Sequence, residues 1–211
     1  MFNNTESYVI HMSSATEREE IVQKLEDFFQ AKRMEAVKGD LVLEKYKSCK
    51  HPLFGQKVLI GAIGCIESHI AILKQAKLGK PYLGIFEDDC EINVSVSEIE
   101  HFLSENIPDD WDIICLGTTE SVKPYSSVNS EVDKIGRFWG THAMIVKKEI
   151  IPKLLFTYNR LMKEKIFPVA DWFYAFAIQE HKLNVYAPHK SKAFVCQKEG
   201  LVSSITGGIR K

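Results

Sequence analysis

Neither sign of charge prevails in this 211-residue chain: 27 Lys and Arg stand against 28 Asp and Glu, a formal net charge of −1. No overall field would draw it to nucleic acid, so nucleic acid is not an expected partner. It has no apolar run of membrane-spanning length, and Met1-Phe2-Asn3-Asn4 opens without the basic and apolar regions of a signal peptide. The closing Gly208-Ile209-Arg210-Lys211 is not an endoplasmic-reticulum retention signal. Cysteine is sparse and poorly arranged for cross-linking. Cys49, Cys65, Cys90, Cys115 and Cys196 are odd in number and widely spaced, with no C-x-x-C pair. That argues against a disulfide framework or a zinc knuckle. Cys65, Cys90 and Cys115 read as small core residues, and a reducing, cytoplasmic compartment is expected. The phosphate-cradling G-x-x-x-x-G-K-S/T and the nucleophile elbow G-x-S-x-G are both missing, which excludes a P-loop protein and a serine nucleophile on such an elbow. No repeat, low-complexity run or linker divides the chain, so one domain over residues 1–211 is expected.

What is present is an alternation of apolar strands and amphipathic helices. Tyr8-Val9-Ile10 reads as a strand. Thr16-x-x-Glu19 has the form of a capping box ahead of a helix carrying Ile21, Leu25, Phe28 and Phe29. A second helix is predicted over Ala62 to Lys77. Ile63, Ile66, Ile70 and Leu73 share one face of it, while Cys65 and Ile72 make another side apolar, so burial on more than one side is expected. Tyr82 to Phe86, Asp112 to Leu116, Ala143 to Val146 and Leu183 to Tyr186 read as buried strands, and Val169 to Glu180 as an aromatic-rich helix. Lys45 to Gln56 and Ser121 to Asp133 read as polar loops. This order predicts an α/β layered domain with a mainly parallel central sheet and flanking helices, its ligands beyond the carboxyl ends of the strands.

One strand end stands out. Tyr82 to Phe86 runs directly into Glu87-Asp88-Asp89. Adjacent carboxylates repel one another, most where solvent is scarce, and a divalent cation offsets that cost. In extended geometry Glu87 and Asp89 would point to one side and share an ion, with Asp88 facing backbone donors or a ribose. The competing reading of the bare tripeptide is a solvated acidic turn. Gly61 and Gly64 near the start of the second helix would let a ligand or neighbouring element approach closely. His69, midway along it, reads by itself as a hydrogen-bonded core residue.

Taken in order, several pieces resemble glycosyltransferase family 25, which includes bacterial lipooligosaccharide galactosyltransferases and procollagen galactosyltransferases. They are Tyr8-Val9-Ile10 with Arg18, Ala36-Val37-Lys38-Gly39, Gly64-Cys65 with Ser68-His69, and Glu87-Asp88-Asp89. Gly140-Thr141-His142-Ala143, Asp171-Trp172, Pro188, Gln197 and Ser203-Ser204-Ile205 follow. The chain departs from the family pattern at His11-Met12-Ser13-Ser14, Ala62 and Lys38. The resemblance implies a GT-A-like nucleotide-diphospho-sugar transferase fold and inverting transfer, with galactose the expected sugar, from a UDP-sugar donor to a hydroxyl of a glycan or glycosylated acceptor. It implies Mn2+ or Mg2+ as cofactor and a place in glycan or lipopolysaccharide biosynthesis. Peripheral membrane association through a lipid-linked acceptor is a further expectation.

Residue by residue, it assigns Glu87, Asp89 and His189 to the metal. Ile10, Arg18, Gly39, Ser68, His69, Asp88, Gln197 and Ser204 are assigned to the donor. His142 is a further candidate metal ligand or phosphate contact. For inversion the base must lie opposite the leaving group, outside the metal cluster. Asp171, at a helix start beside Trp172, is the candidate; its alternative role is to complement the helix dipole. The rival class is a non-catalytic nucleotide-sugar-binding module of the same fold.

Overall fold

A computed structural model describes residues 1–50, 59–76, 79–189 and 193–201, the side chains of 120–125 excepted. Eight strands form one sheet in the order β2-β1-β3-β8-β5-β9-β7-β6. They are β1 (Thr5–His11), β2 (Lys32–Glu35), β3 (Tyr82–Glu87), β5 (Ile113–Cys115), β6 (Glu120–Ser127), β7 (Val132–Trp139), β8 (Ala143–Lys147) and β9 (Val185–Pro188). A short second sheet pairs β4 (Cys90–Ile92) with β10 (Val195–Gln197). Strands β2, β1 and β3 run together, β8 runs against them, β5 and β9 run with β3, β7 runs against and β6 with. Six of the eight strands therefore share one direction. The sheet is mixed but mainly parallel, as expected.

Helices cover both faces. On one side α2 (Ile60–Gln75), α4 (Ile151–Lys163) and α5 (Ala170–His181) contribute Ile63, Ile66, Leu154, Tyr158, Phe173 and Tyr174 to a core with Ile85 and Met144. On the other, α1 (Glu19–Phe29) and α3 (Val96–Glu105) pack Leu25, Phe29 and Phe102 against Phe86 and Ile145. A sheet covered twice needs apolar residues on both pleats, which is why β3, β5 and β8 read as unbroken apolar runs rather than alternations. As expected, α2 is buried around more than one side. Among the described residues no helix is long and apolar enough to cross a membrane.

Three expectations need correction. The segment read as a polar loop over Ser121 to Asp133 is the hairpin of β6 and β7. Strand β6 is at the sheet edge, where no apolar period is required, and Asn129 Oδ1 closes the turn by accepting the N–H groups of Glu131 and Val132 at 2.8 and 2.9 Å. The loop expected over Lys45 to Gln56 begins inside a 3-10 helix, Gly39–Tyr46, and its later part lies outside the described residues. The Thr16-x-x-Glu19 box does not form. Thr16–Arg18 is a 3-10 turn without a side-chain cap, and Glu19 turns to His11 and Arg33 instead. A capping box does form at Ser95 and Glu98.

Candidate active site

The C-terminal edge of the sheet collects the chemistry. Strands β1 and β3 end there at His11 and Glu87, while antiparallel β8 begins there, so the turn Gly140-Thr141-His142 arrives at the same edge. The Glu87 N–H donates to the His142 carbonyl at 2.8 Å. Gly140 makes that turn with φ +89°, a conformation glycine adopts without strain.

A cleft of about 540 Å³ opens between this edge and the first half of α2. Ile10, Arg18, Gly39, Ser68, Glu87, Asp88 and Asp89, expected in the site from the sequence, all line it. Its outer wall, residues 36–40, lies very close to α2. A Cβ at Gly39 would stand 2.0 Å from the Ile60 carbonyl oxygen, and one at Gly64 would stand 2.6 Å from that of Val37. Ser68 fastens the two segments: its Oγ accepts the Val37 N–H at 2.9 Å and donates to the Gly64 carbonyl at 2.7 Å. Gly39 and Ser68 thus shape the cleft through packing.

The three carboxylates have three environments. Strand β3 stops at Glu87 and Asp88-Asp89 forms a turn into β4, so the extended-strand alternation expected of them does not apply. Asp88 is buried and bonded to side chains. Its Oδ1 accepts from Arg18 Nη1 and its Oδ2 lies 2.9 Å from His11 Nδ1. Glu87 Oε1 accepts from the Thr141 hydroxyl at 2.7 Å and lies 3.4 Å from His69 Nε2. Burial alone would raise the Glu87 pKa, but His69, Thr141 and the nearby His142 outweigh it and hold the carboxylate at about 2. His69 is fully buried, with Nδ1 3.2 Å from the Tyr174 hydroxyl, the hydrogen-bonded core histidine the sequence suggested. The Asp89 carbonyl accepts the Lys198 N–H at 2.7 Å, which joins this turn to the strand carrying Gln197.

Behind Glu87 is a second, smaller hollow of about 170 Å³. Glu87 and Cys65 line both cavities. The hollow also takes in Thr141, Trp139, Gln197 and Asp171. Asp171 lies in the first turn of α5, and its Oδ1 accepts the Gly140 N–H at 2.9 Å. Burial, and then the negative charge of Glu87, push its pKa up from 3.8 to about 6 against the pull of that N–H. Facing carboxylates are thus driven apart, one strongly acidic and one poised near neutrality.

A hard divalent cation takes oxygen ligands. Among the described residues a compact group of ligand atoms is formed by Cys65, His69 and Glu87, all within 4.8 Å of one another. Burial, reinforced by the charges of Glu87, Asp171 and Asp89, keeps the Cys65 thiol protonated, and the His69 ring is engaged on both nitrogens. Glu87 and Asp89 both line the cleft and carry the oxygen donors that such an ion would take. His189 follows β9, three places from β3 in the sheet, or roughly 14 Å between strands at the usual spacing, and its N–H donates to the Glu131 carbonyl. His142 is buried with Nε2 3.3 Å from the Val195 carbonyl oxygen, under the cleft floor. Ser204 lies outside the described residues. Sequence reasoning gave no role to His11, Thr141 or Trp139. The Gly140-Thr141 motif was the available signal for Thr141; no periodicity or spacing marked the other two.

No curated protein matches the chain in sequence. Among solved structures, mouse xyloside xylosyltransferase 1 in its apo form is similar at a TM-score of 0.46 and 11% identity, over 86% of this chain and 71% of that one. A glycosyltransferase involved in glycosylation of the major capsid of PBCV-1 gives 0.45 and 11%, over 85% and 76%. A mutant Drosophila β1,4-galactosyltransferase 7 in complex with manganese, UDP-Gal and xylobiose gives 0.43 and 8%, over 92% and 70%. The decisive match is in sequence: the model of glycosyltransferase family 25, described as LPS biosynthesis protein, covers residues 4–171, from β1 to the first turn of α5, and the chain belongs to that family.

Proposed function

We propose that this chain is an inverting glycosyltransferase of GT-A-like design. It moves a sugar, galactose being the expected one, from a UDP-sugar to a hydroxyl of a glycan or glycosylated acceptor. The observation that carries this reading is the position of Glu87 in the wall between two cavities, with Asp171 on the far side. A cleft of about 540 Å³ is in the range of small-molecule and cofactor sites. The first turn of α2, with Ile60 and Gly61 in the cleft lining and no side-chain cap from Leu59, suits a diphosphate. A divalent cation, Mn2+ or Mg2+, held by Glu87 and Asp89 would supply Lewis-acid stabilisation of the departing diphosphate.

The chain's own groups do the rest. The hollow orients the acceptor, with the Trp139 ring in its wall. The acceptor oxygen attacks the anomeric carbon from the face opposite the diphosphate. The bond from that carbon to the phosphate oxygen breaks, its electron pair leaves on UDP, and the hydroxyl proton passes to Asp171. A carboxylate with a pKa of about 6 is ionised at neutral pH yet more basic than an ordinary aspartate, the balance a general base needs.

The test combines thermal shift with UDP release, using UDP-galactose and other nucleotide sugars, with and without manganese, and a panel of saccharide acceptors. Metal-dependent stabilisation by a UDP-sugar and release of UDP are expected. Asp171→Asn should keep the stabilisation and lose roughly 10²–10⁴-fold in turnover. Stabilisation without turnover by the unaltered chain across the panel would overturn the reading in favour of a non-catalytic nucleotide-sugar-binding module.

A further inference from the structure

Beyond the hollow, a groove of about 700 Å³ runs between α5 and β7. It continues the site just described. Trp172, in its wall, is the chain neighbour of Asp171, and Arg137, also in its wall, is two residues from Trp139. Residues two apart on a strand share a face, so Arg137 and Trp139 stand side by side. The Arg137 guanidinium lies 4.2 Å from the Trp172 ring centre and 4.8 Å from that of Trp139, and the two rings meet edge to face at 6.0 Å. This cation is held by aromatic faces, and among the described residues no carboxylate forms an ion pair with it. Lys134 and Lys182 also line the groove, Lys134 with its ammonium bonded to Asn184 Oδ1 at 2.6 Å and Lys182 exposed at the end of α5. Among the described residues no Asp or Glu is in the lining. Three cations line the groove with Trp172 and Phe176, and the carboxyl of Asp171 acts on Arg137 from the neighbouring hollow without forming an ion pair with it; the groove itself is complementary to a sugar ring that carries an anion.

We infer that this groove is an extended acceptor subsite that takes an acidic saccharide unit, phosphorylated or carboxylated, next to the sugar receiving the transfer. The inference rests on the proposed transfer reaction for its placement, though not for the binding itself. Arg137 supplies a planar fork of donors to the anion, Trp172 offers a face to the ring, and Lys182 adds charge at the groove mouth.

Nuclear magnetic resonance titration of the full chain, followed at the tryptophan indole N–H signals, tests it. The probes are glucose, glucose 6-phosphate, glucuronic acid and inorganic phosphate. The acidic sugars should bind on the order of tenfold more tightly than glucose, with the indole signal of Trp172 moving, and salt should erode the difference. Arg137→Gln and, separately, Lys182→Glu should each reduce the preference. The second alters only an exposed side chain, so it remains informative if the first disturbs packing. A larger effect of glucose 6-phosphate than of glucuronic acid assigns the anion as phosphate, and the reverse assigns it as carboxylate. Equal binding of glucose and the acidic sugars, or inorganic phosphate binding as well as glucose 6-phosphate, overturns the inference. Thermal stabilisation by UDP-galactose with manganese is measured on the same Lys182→Glu sample. It should be unchanged, and its absence from the unaltered chain would sink the transfer reading while leaving the groove result to stand by its own titration.

Discussion

Asp88 and Asp171 are both withdrawn from water near one strand end, yet the fold treats their charges oppositely. Asp88 is enclosed by polar side chains: the Arg18 guanidinium on one oxygen, the His11 ring on the other. The series continues outward, since His11 Nε2 lies 3.1 Å from Glu19, and Glu19 accepts from Arg33 at 2.8 Å. Asp171 has one backbone N–H and a negative neighbour in Glu87, and the weaker pulls of His69 and Arg137 leave its carboxylate partly uncompensated. The contrast teaches which acid ties the site together and which is left to exchange a proton with a ligand: Asp88 is bonded across to β1 and the turn before α1, whereas the Asp171 carboxyl is raised toward neutrality.

Breaking the enclosed side should have the largest effect on stability. Arg18→Met leaves buried Asp88 with His11 on its other oxygen, and removing one member of a buried ion pair costs about 3–5 kcal/mol. The expected result is a large fall in the urea midpoint at unchanged slope. Adding Asp88→Asn should recover part of it, because the uncompensated charge is then gone. A loss below about 1 kcal/mol, in the range of exposed pairs, would erase the distinction between the two aspartates.

Thr141→Val probes the boundary between them at a smaller scale. It removes the hydroxyl that donates to Glu87 Oε1 at 2.7 Å and keeps the buried volume. A hydrogen bond to a charged group contributes about 1.5–3 kcal/mol. The Glu87 pKa should rise from about 2 toward its ordinary 4.5, since one opposing influence on burial is lost. With Glu87 depressed in the folded chain, its stabilisation is present above 4.5 and lost as pH falls toward 2. The variant should therefore differ from the parent most at neutral pH and least near pH 2, as read by denaturation across that range.

How far all this was legible in sequence depended on how local the physics is. The strand over Tyr82 to Phe86 and its acidic stop could be read because a buried strand is a short apolar run with an abrupt end. The helix holding His69 could be read from a 3.6-residue period. The hairpin of β6 and β7 could not, because an edge strand carries no apolar period and its turn is set by one asparagine. The direction of β8 was equally hidden: Ala143 to Val146 would look the same parallel or antiparallel, yet its antiparallel course delivers Thr141 to Glu87. Asp88 lines the cleft as expected, but no sequence pattern links it to His11, 77 positions away. Three bare carboxylates repel one another, and for Asp88 the fold answers this with Arg18 and His11. In the proposed reading an ion would answer it for Glu87 and Asp89.

The uncompensated side gives the smallest and most diagnostic effect. The Asp171 pKa is raised from 3.8 to about 6, so the folded chain binds its proton more tightly than the unfolded chain. Between those values the native state carries more protons, and stability falls as pH rises. The contribution is fully present below pH 3.8 and lost above about 6. Allowing for partial screening of a half-buried group, its size is roughly 1–2 kcal/mol. Asp171→Asn cannot ionise, so its stability relative to the parent should improve from pH 4 to pH 7 by about that amount. Catalysis should move the opposite way: with Asp171 as base, kcat/KM of the parent should rise about tenfold per pH unit up to pH 6 and level off above it. A variant whose stability tracks the parent at every pH, together with a flat rate profile between pH 5 and 7, would make Asp171 an ordinary helix-start aspartate. The two aspartates would then differ in position alone.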